Sequence, residues 1–351
     1  MDKDLLHIIE AGTMAPSGDN CQPWRFEVGP GFIDLYNVPE RDYSLYNWGQ
    51  RPSYIANGAV LENMAIAAAA KGYRLTIKVL PDSGTPELVA RTYVERSGDS
   101  THPLYDAIWK RVTNRKKYHA VPLSAEHLER LERTTSNGQR LLFITDTPRR
   151  SKLASLAALN ERILFEDRRM HSFFFSHINW NDQQDRERKF GFLLKTFELP
   201  PLVQAGCAVL KHYPALQALN AIGLSNILTK MNSGIYATGA AIGAIVIPSR
   251  DINHYVGVGR LLERVWLTAT SLGLHLHPLP GVALLMNRIA DGDASLSRGH
   301  AQLVSGAYGE MCKTVRVSDG VIALLFRIGH ANPPTARTTR LKPDIRMVSS
   351  A

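Results

Sequence analysis

Cysteine is scarce in this chain: Cys21, Cys207 and Cys312 are the only three in 351 residues. At those spacings they form neither a disulfide framework nor a zinc-ligand pattern. Each reads as a small buried hydrophobe, and a reduced, cytoplasmic setting follows. Long apolar runs are also missing. Residues 202–227 are mostly apolar, but Lys211, His212, Tyr213 and Pro214 interrupt them, and 234–248 is shorter than the roughly 20 residues a spanning helix needs. No transmembrane segment is expected. These stretches read as buried helices or a lid over a site, with membrane-surface contact as the alternative. The amino terminus, MDKDLLHIIEAG, carries acids and no long apolar core, so it is not a secretory signal. Acidic residues are outnumbered, 32 against 41 Lys and Arg, for a formal net charge of +9. The basic groups are dispersed over RVTNRKK, TPRR, EDRR, DRERK and ARTTRLK, with no zinc-finger spacing, RNA-binding aromatic signature or homeodomain-like helix. That argues against nucleic acid and leaves a phosphorylated small ligand as their partner.

What is present is ordinary globular material, 44% hydrophobic and long enough for one large core or two fused units. Apolar periodicity predicts a helix over 4–15, an Ala-rich helix over 54–71 and a long helix over 256–272. RFEV and FIDLYN flank Gly29-Pro30-Gly31, a hairpin signal. RLTIKVL, ELVARTYVE, RLLFIT, AIGAIVI and VIALLFRIG read as strands. PLYDAIWKR reads as a short helix, and Ser124 as the cap of SAEHLERLER. Helical patterns dominate 150–232, and the Pro-, Arg- and Thr-rich tail after Gly329 reads as extended.

The two long helices resemble each other. Gly58, Leu61, Glu62, Ala68 and Gly72 are matched by Gly259, Leu262, Glu263, Ala269 and Gly273 at one offset of 201 residues. Leu and Ala recur by coincidence in amphipathic helices. The paired glycine boundaries favour duplication of one α/β unit.

Two clusters carry the chemistry. APSGDNCQPW, 15–24, crowds hydrogen-bonding turn residues before Trp24, and Gly18 permits close backbone approach to a ligand. On residue chemistry alone a helix exit into a hairpin, with Trp24 as core, is the commoner explanation. In RVTNRKKY, 111–118, the alternation of Arg111, Thr113 and Arg115 puts two guanidinium forks and a hydroxyl on one side of an extended segment, suited to phosphate. A solvated basic loop is the bland alternative. His275 and His277 are a weak metal hint; packing is the commoner role of such histidines.

Taken together these stretches resemble the nitroreductase-like FMN flavoprotein family. Arg111, Thr113 and Arg115 match its R-x-S-x-R phosphate motif, with Thr for Ser. Ala15, Pro16, Ser17, Asn20, Gln22, Pro23 and Trp24 match its A-P-S-x-x-N-x-Q-P-W motif. The resemblance implies an α+β fold with a mixed sheet flanked by helices. It implies FMN held by Arg111, Thr113, Arg115, Pro16, Ser17, Gly18, Asn20 and Gln22. It adds Leu279, Pro280 and Gly281 beside the reactive edge of the flavin, and Arg337, Arg340 or Lys342 from the tail near the phosphate. The motif order is inverted relative to ordinary members, which are homodimers. This implies two fused units in one chain mimicking that dimer, as in the tandem, Acg-like branch and the nitroreductase-like partners of ThiF-type activating enzymes. The expected division is 1–105, a first unit truncated at its front, and 106–351, a second unit with a helical insertion at about 192–232. The implied activity is hydride transfer from NAD(P)H through FMN to a small acceptor such as a nitro compound or quinone, with no catalytic side chain and no metal. A lidded flavin-sequestering protein and a flavin-dependent biosynthetic dehydrogenase are the alternatives. A ThiF-like partner protein is implied, and monomer and homodimer are both open.

Overall fold

The computed structural model describes residues 2–98, 100–135 and 138–348. It is an α+β molecule with two principal sheets. Four strands of the first, Trp24–Gly29, Phe32–Asn37, Tyr73–Val79 and Leu88–Arg96, lie in the order first, second, fourth, third, each antiparallel to its neighbour. The second sheet, Arg140–Ile144, Ala241–Ile247, His275–Pro278 and Val321–Gly329, repeats that order and those directions. In each, a helix of 20 residues, Arg51–Ala70 or Ile252–Ser271, joins the second strand to the third. Each helix is followed by a left-handed glycine, Gly72 at φ +77 and Gly273 at φ +71, where a side chain would be strained.

These two helices cross at their equivalent glycines. A methyl on Gly58 would fall 2.1 Å from the Val256 carbonyl oxygen, and one on Gly259 would fall 1.9 Å from that of Ile55. Val256 and Ile55 are themselves related by the 201-residue offset. The contact is therefore isologous, of the kind a two-fold axis makes between identical subunits. Glycine lets the backbones touch, and the surrounding Leu61, Met64, Val258, Leu262 and Trp266 are buried in one continuous core.

Two features depart from the expected layout. The first sheet is mixed and the second wholly antiparallel, because Ile345–Met347 adds to the first sheet parallel to Trp24–Gly29. The tail thus begins at the end of the second sheet and finishes in the first. Residues 178–193 also contain a small parallel ladder, Ile178–Asn179 with Phe192–Leu193, inside a region that read as helical. Helices Pro201–Leu210, Tyr213–Ala221 and Leu224–Tyr236 follow, and the last packs along helix Thr147–Glu166. Among the described residues, no helix is long and apolar enough to cross a membrane.

Candidate functional site

The turn at 18–22 is strained and heavily braced. Asp19, Asn20 and Gln22 have φ of +47, +54 and +51, left-handed values that cost non-glycine residues about 1–3 kcal/mol each. The bracing comes from their own side chains. The Ser17 hydroxyl accepts the Gln22 amide at 3.0 Å, and Asn20 Nδ2 donates to the Thr339 carbonyl at 2.9 Å. Gln22 Nε2 donates to the Lys189 carbonyl at 2.7 Å, while its Oε1 accepts the Leu341 amide at 2.9 Å. Trp24, buried beneath, fixes the turn to the core. The turn residues thereby clasp the tail and the 189 region.

The basic strip runs out of helix Tyr105–Lys110. Thr113 bridges Leu276, and Asn114 Nδ2 donates to the Asn332 carbonyl at 2.9 Å, so the strip is tied to the second sheet and the tail. Buried Arg327 on the sheet's Val321–Gly329 strand anchors it further, donating to the Lys116 carbonyl at 2.9 Å. Arg111 is buried, stacked over Trp266 at 4.6 Å, and donates to the Met14 carbonyl at 2.7 Å. Arg115 lies between Phe192 and Phe197, 5.2 and 5.3 Å from their ring centres. From the tail, Arg340 donates to the carbonyls of Thr13 and Ala15 at 3.0 and 2.7 Å, and Arg337 to those of Trp109 and Arg111.

All of these meet at one cavity. Its wall takes Pro16, Ser17 and Asn20 from the turn, Arg111, Thr113 and Arg115 from the strip, and Arg337 and Arg340 from the tail. Its balance is cationic. The guanidinium groups rest mainly on carbonyl oxygens and aromatic faces; among the described residues only Arg111 has an ion-pair partner, Glu263, at 3.2 Å. Burial depresses the Arg340 guanidinium to about 9, reinforced by Arg111. Burial also pushes the Asp19 carboxyl up to about 7, with Asp42 adding to the rise and Arg115 opposing it. Four clustered guanidinium groups with one paired carboxylate make an anion site.

The remaining expected residues sit elsewhere. Gly18 is exposed on the turn, and Gln22 lies behind the wall as a brace. Lys342 is exposed beyond it. Leu279 is buried, donating its amide to the Leu325 carbonyl at 2.7 Å, and Pro280 precedes helix Gly281–Ala290. None of these five, nor Gly281, is among the lining residues. Phe192 and Thr196, which do line the cavity, carried no local sequence signal; Arg115 packed between two phenylalanines is visible only once the chain is folded. His275 and His277 gather no metal set: among the described residues, no cluster of three His, Cys, Asp or Glu could hold an ion.

No family profile matches the chain. The chain is 25% identical over 341 residues to "Uncharacterized protein MT1398" of Mycobacterium tuberculosis (strain CDC 1551 / Oshkosh), covering 95% of this chain and 46% of that protein. It therefore spans about half the length of that curated relative. Among solved structures, the NADPH:FMN oxidoreductase from Vibrio harveyi complexed with NAD+ is 11% identical at a TM-score of 0.36, over 68% of this chain and 74% of that one. A nitroreductase with bound FMN from Desulfitobacterium hafniense DCB-2 is 12% identical at a TM-score of 0.35, over 69% and 94%. Likeness at that level leaves the architecture to be read from this chain's own sheets and helices.

Proposed function

We propose that this chain is an FMN-dependent oxidoreductase of nitroreductase type that takes hydride from NAD(P)H and passes it to a small acceptor such as a nitro compound or quinone. The supporting observation is the convergence on one cavity of Asn20 and Ser17 from the first half with Arg111, Thr113, Arg115 and Arg340 from the second. The donor set suits the group: Arg115, Arg337 and Arg340 have no carboxylate within ion-pair distance among the described residues. A phosphate would complete them. Arg111, Thr113, Arg115 and Arg340 would hold the phosphate, and Ser17 and Asn20 would flank the rest of the mononucleotide. When bound, the flavin supplies the hydride chemistry. The protein's part is to fix it in a cationic cleft and limit solvent access. A ThiF-like partner belongs to the same reading, supported by the sequence resemblance.

The sequestering alternative predicts an insertion packed over the site. The insertion at about 192–232 lines the cavity with Phe192 and Thr196 at its start, while helices 201–236 contribute no lining residue. The test is spectroscopic and kinetic. The purified protein should be yellow, release FMN on denaturation, and oxidise NAD(P)H in the presence of a nitroarene or quinone. Arg115→Ala should weaken FMN binding by about 1.5–3 kcal/mol, roughly ten- to a hundredfold, the worth of a hydrogen bond to a charged group. A colourless protein with no affinity for added FMN would remove the proposal.

A further inference from the structure

A second cleft adjoins the arginine cavity. Trp109, Lys110 and Val112 line it from one side and residues 334–337 of the tail from the other, around a space of about 440 Å³. That lies within the roughly 300–1,000 Å³ of small-molecule sites. Val112, Ala336 and Arg337 line both spaces, so the cleft starts where the anion site ends. Among the described residues, no carboxylate lines it.

The lining residues divide by what they recognise. Trp109 is half-buried and packs against the core. Its ring is braced from the first half of the chain: the His7 ring lies 5.6 Å from it, and His7 Nε2 is hydrogen-bonded to the Tyr105 hydroxyl at 2.5 Å. An indole fixed in a cleft is a stacking platform for a planar heterocycle. Lys110 follows it at the exposed end of helix Tyr105–Lys110, with no ion-pair partner among the described residues. Arg337 donates to the Trp109 and Arg111 carbonyls, which pins its guanidinium where the two spaces meet and leaves the rest of its fork for an anion. Thr335 is already committed, since its hydroxyl donates to Glu198 at 2.9 Å. A bare anion would use the cations and leave the indole idle; a purely aromatic ligand would do the reverse. A purine carrying a phosphate uses both.

We infer that this cleft is an adenylate subsite, in which Trp109 stacks the adenine while Lys110 and Arg337 take the phosphate. The inference rests on the oxidoreductase reading above, which supplies two sources of that group. One is the AMP half of FAD, continuing from the flavin phosphate past Arg337, so that the site takes the dinucleotide as well as FMN. The other is the AMP half of NAD(P)H. The chemistry recognised is the same in both.

The test is calorimetric titration of the FMN-loaded protein with 5′-AMP, adenosine and inorganic phosphate. AMP should bind more tightly than either fragment. Trp109→Leu, which keeps apolar bulk against the core, should weaken AMP roughly tenfold, within the usual worth of a base stacked on an aromatic ring, and leave FMN affinity unchanged. Lys110→Gln, on an exposed side chain, should weaken AMP and leave adenosine unaffected. Two arms separate the sources. If FAD is the ligand, the apoprotein binds FAD more tightly than FMN, and Trp109→Leu erases the difference. If the nicotinamide nucleotide is the ligand, FAD and FMN bind alike, and AMP competes with NAD(P)H for the FMN-loaded protein. AMP binding no tighter than phosphate, AMP affinity indifferent to both substitutions, or failure in both arms overturns the inference. An apoprotein without affinity for FMN overturns the parent reading instead, and its titration with AMP still decides the cleft.

Discussion

The central helix pair carries the same glutamate at two related positions, and the molecule treats the two differently. Glu62 accepts Arg260 Nε at 3.1 Å and Arg264 Nε and Nη2 at 2.7 and 3.0 Å, at a partly solvated edge. The positions that Arg260 and Arg264 would occupy around Glu263 are, by the same offset, Ala59 and Asn63. Glu263 is fully buried; among the described residues its ion-pair partner is Arg111, from outside the pair, and neither of its oxygens has an aligned hydrogen-bond donor. Burial lifts its carboxyl to about 7, against Arg111 and Asn63. At one end of the pseudo-dyad, then, the helices neutralise their own acid. At the other they leave it to an imported arginine, and Arg337 and Arg340 gather beside that arginine. The difference explains how a nearly symmetric scaffold carries its cationic cavity at one end.

The comparison can be broken most severely at the crossing. Gly259→Ala and Gly58→Ala each drive a methyl into backbone, and each should cost at least about 3 kcal/mol in urea unfolding. Loss of under about 1 kcal/mol would mean the helices do not meet there. A pH series sharpens the comparison of the glutamates. Folding raises the affinity of Glu263 for its proton, from an ordinary 4.5 to about 7. At that site the folded state therefore binds more proton than the unfolded chain in that window, and the Glu263 contribution to stability should fall as pH rises from about 4.5 to about 7. Glu263→Gln should remove that contribution; Asp19, also held near 7, adds a slope of the same sign, which Asp19→Asn should remove. Smallest of all, Leu202→Gln on an 85% exposed side chain should shift stability by no more than about 0.5 kcal/mol. A larger loss would show that helix 201–210 is packed against something in solution.

Much of this was legible in the sequence. The strands AIGAIVI and VIALLFRIG, the Ser124 cap and the paired helices have local causes: apolar runs, a capping hydroxyl and glycine stops. The convergence of Asn20 with Arg115 was legible through motif order. Other features have no local cause. Ile345–Met347 becomes a strand because the edge of the first sheet is free to receive it, and the tail's length decides that. Glu161 and Tyr236, whose side chains hydrogen-bond, lie 75 residues apart on helices whose patterns signal only packing. Gln22 resembles a ligand contact in sequence, yet its amide is spent on the Lys189 and Leu341 backbone, a use that depends on where the tail passes.

The central claim is that one mononucleotide site is built jointly by both halves, at the Glu263 end alone. Calorimetric titration of the apoprotein with FMN tests it most directly. One FMN per chain is expected, with Arg115→Ala and Asn20→Ala, one from each half, each weakening binding. Two FMN per chain, or affinity indifferent to both substitutions, would contradict it.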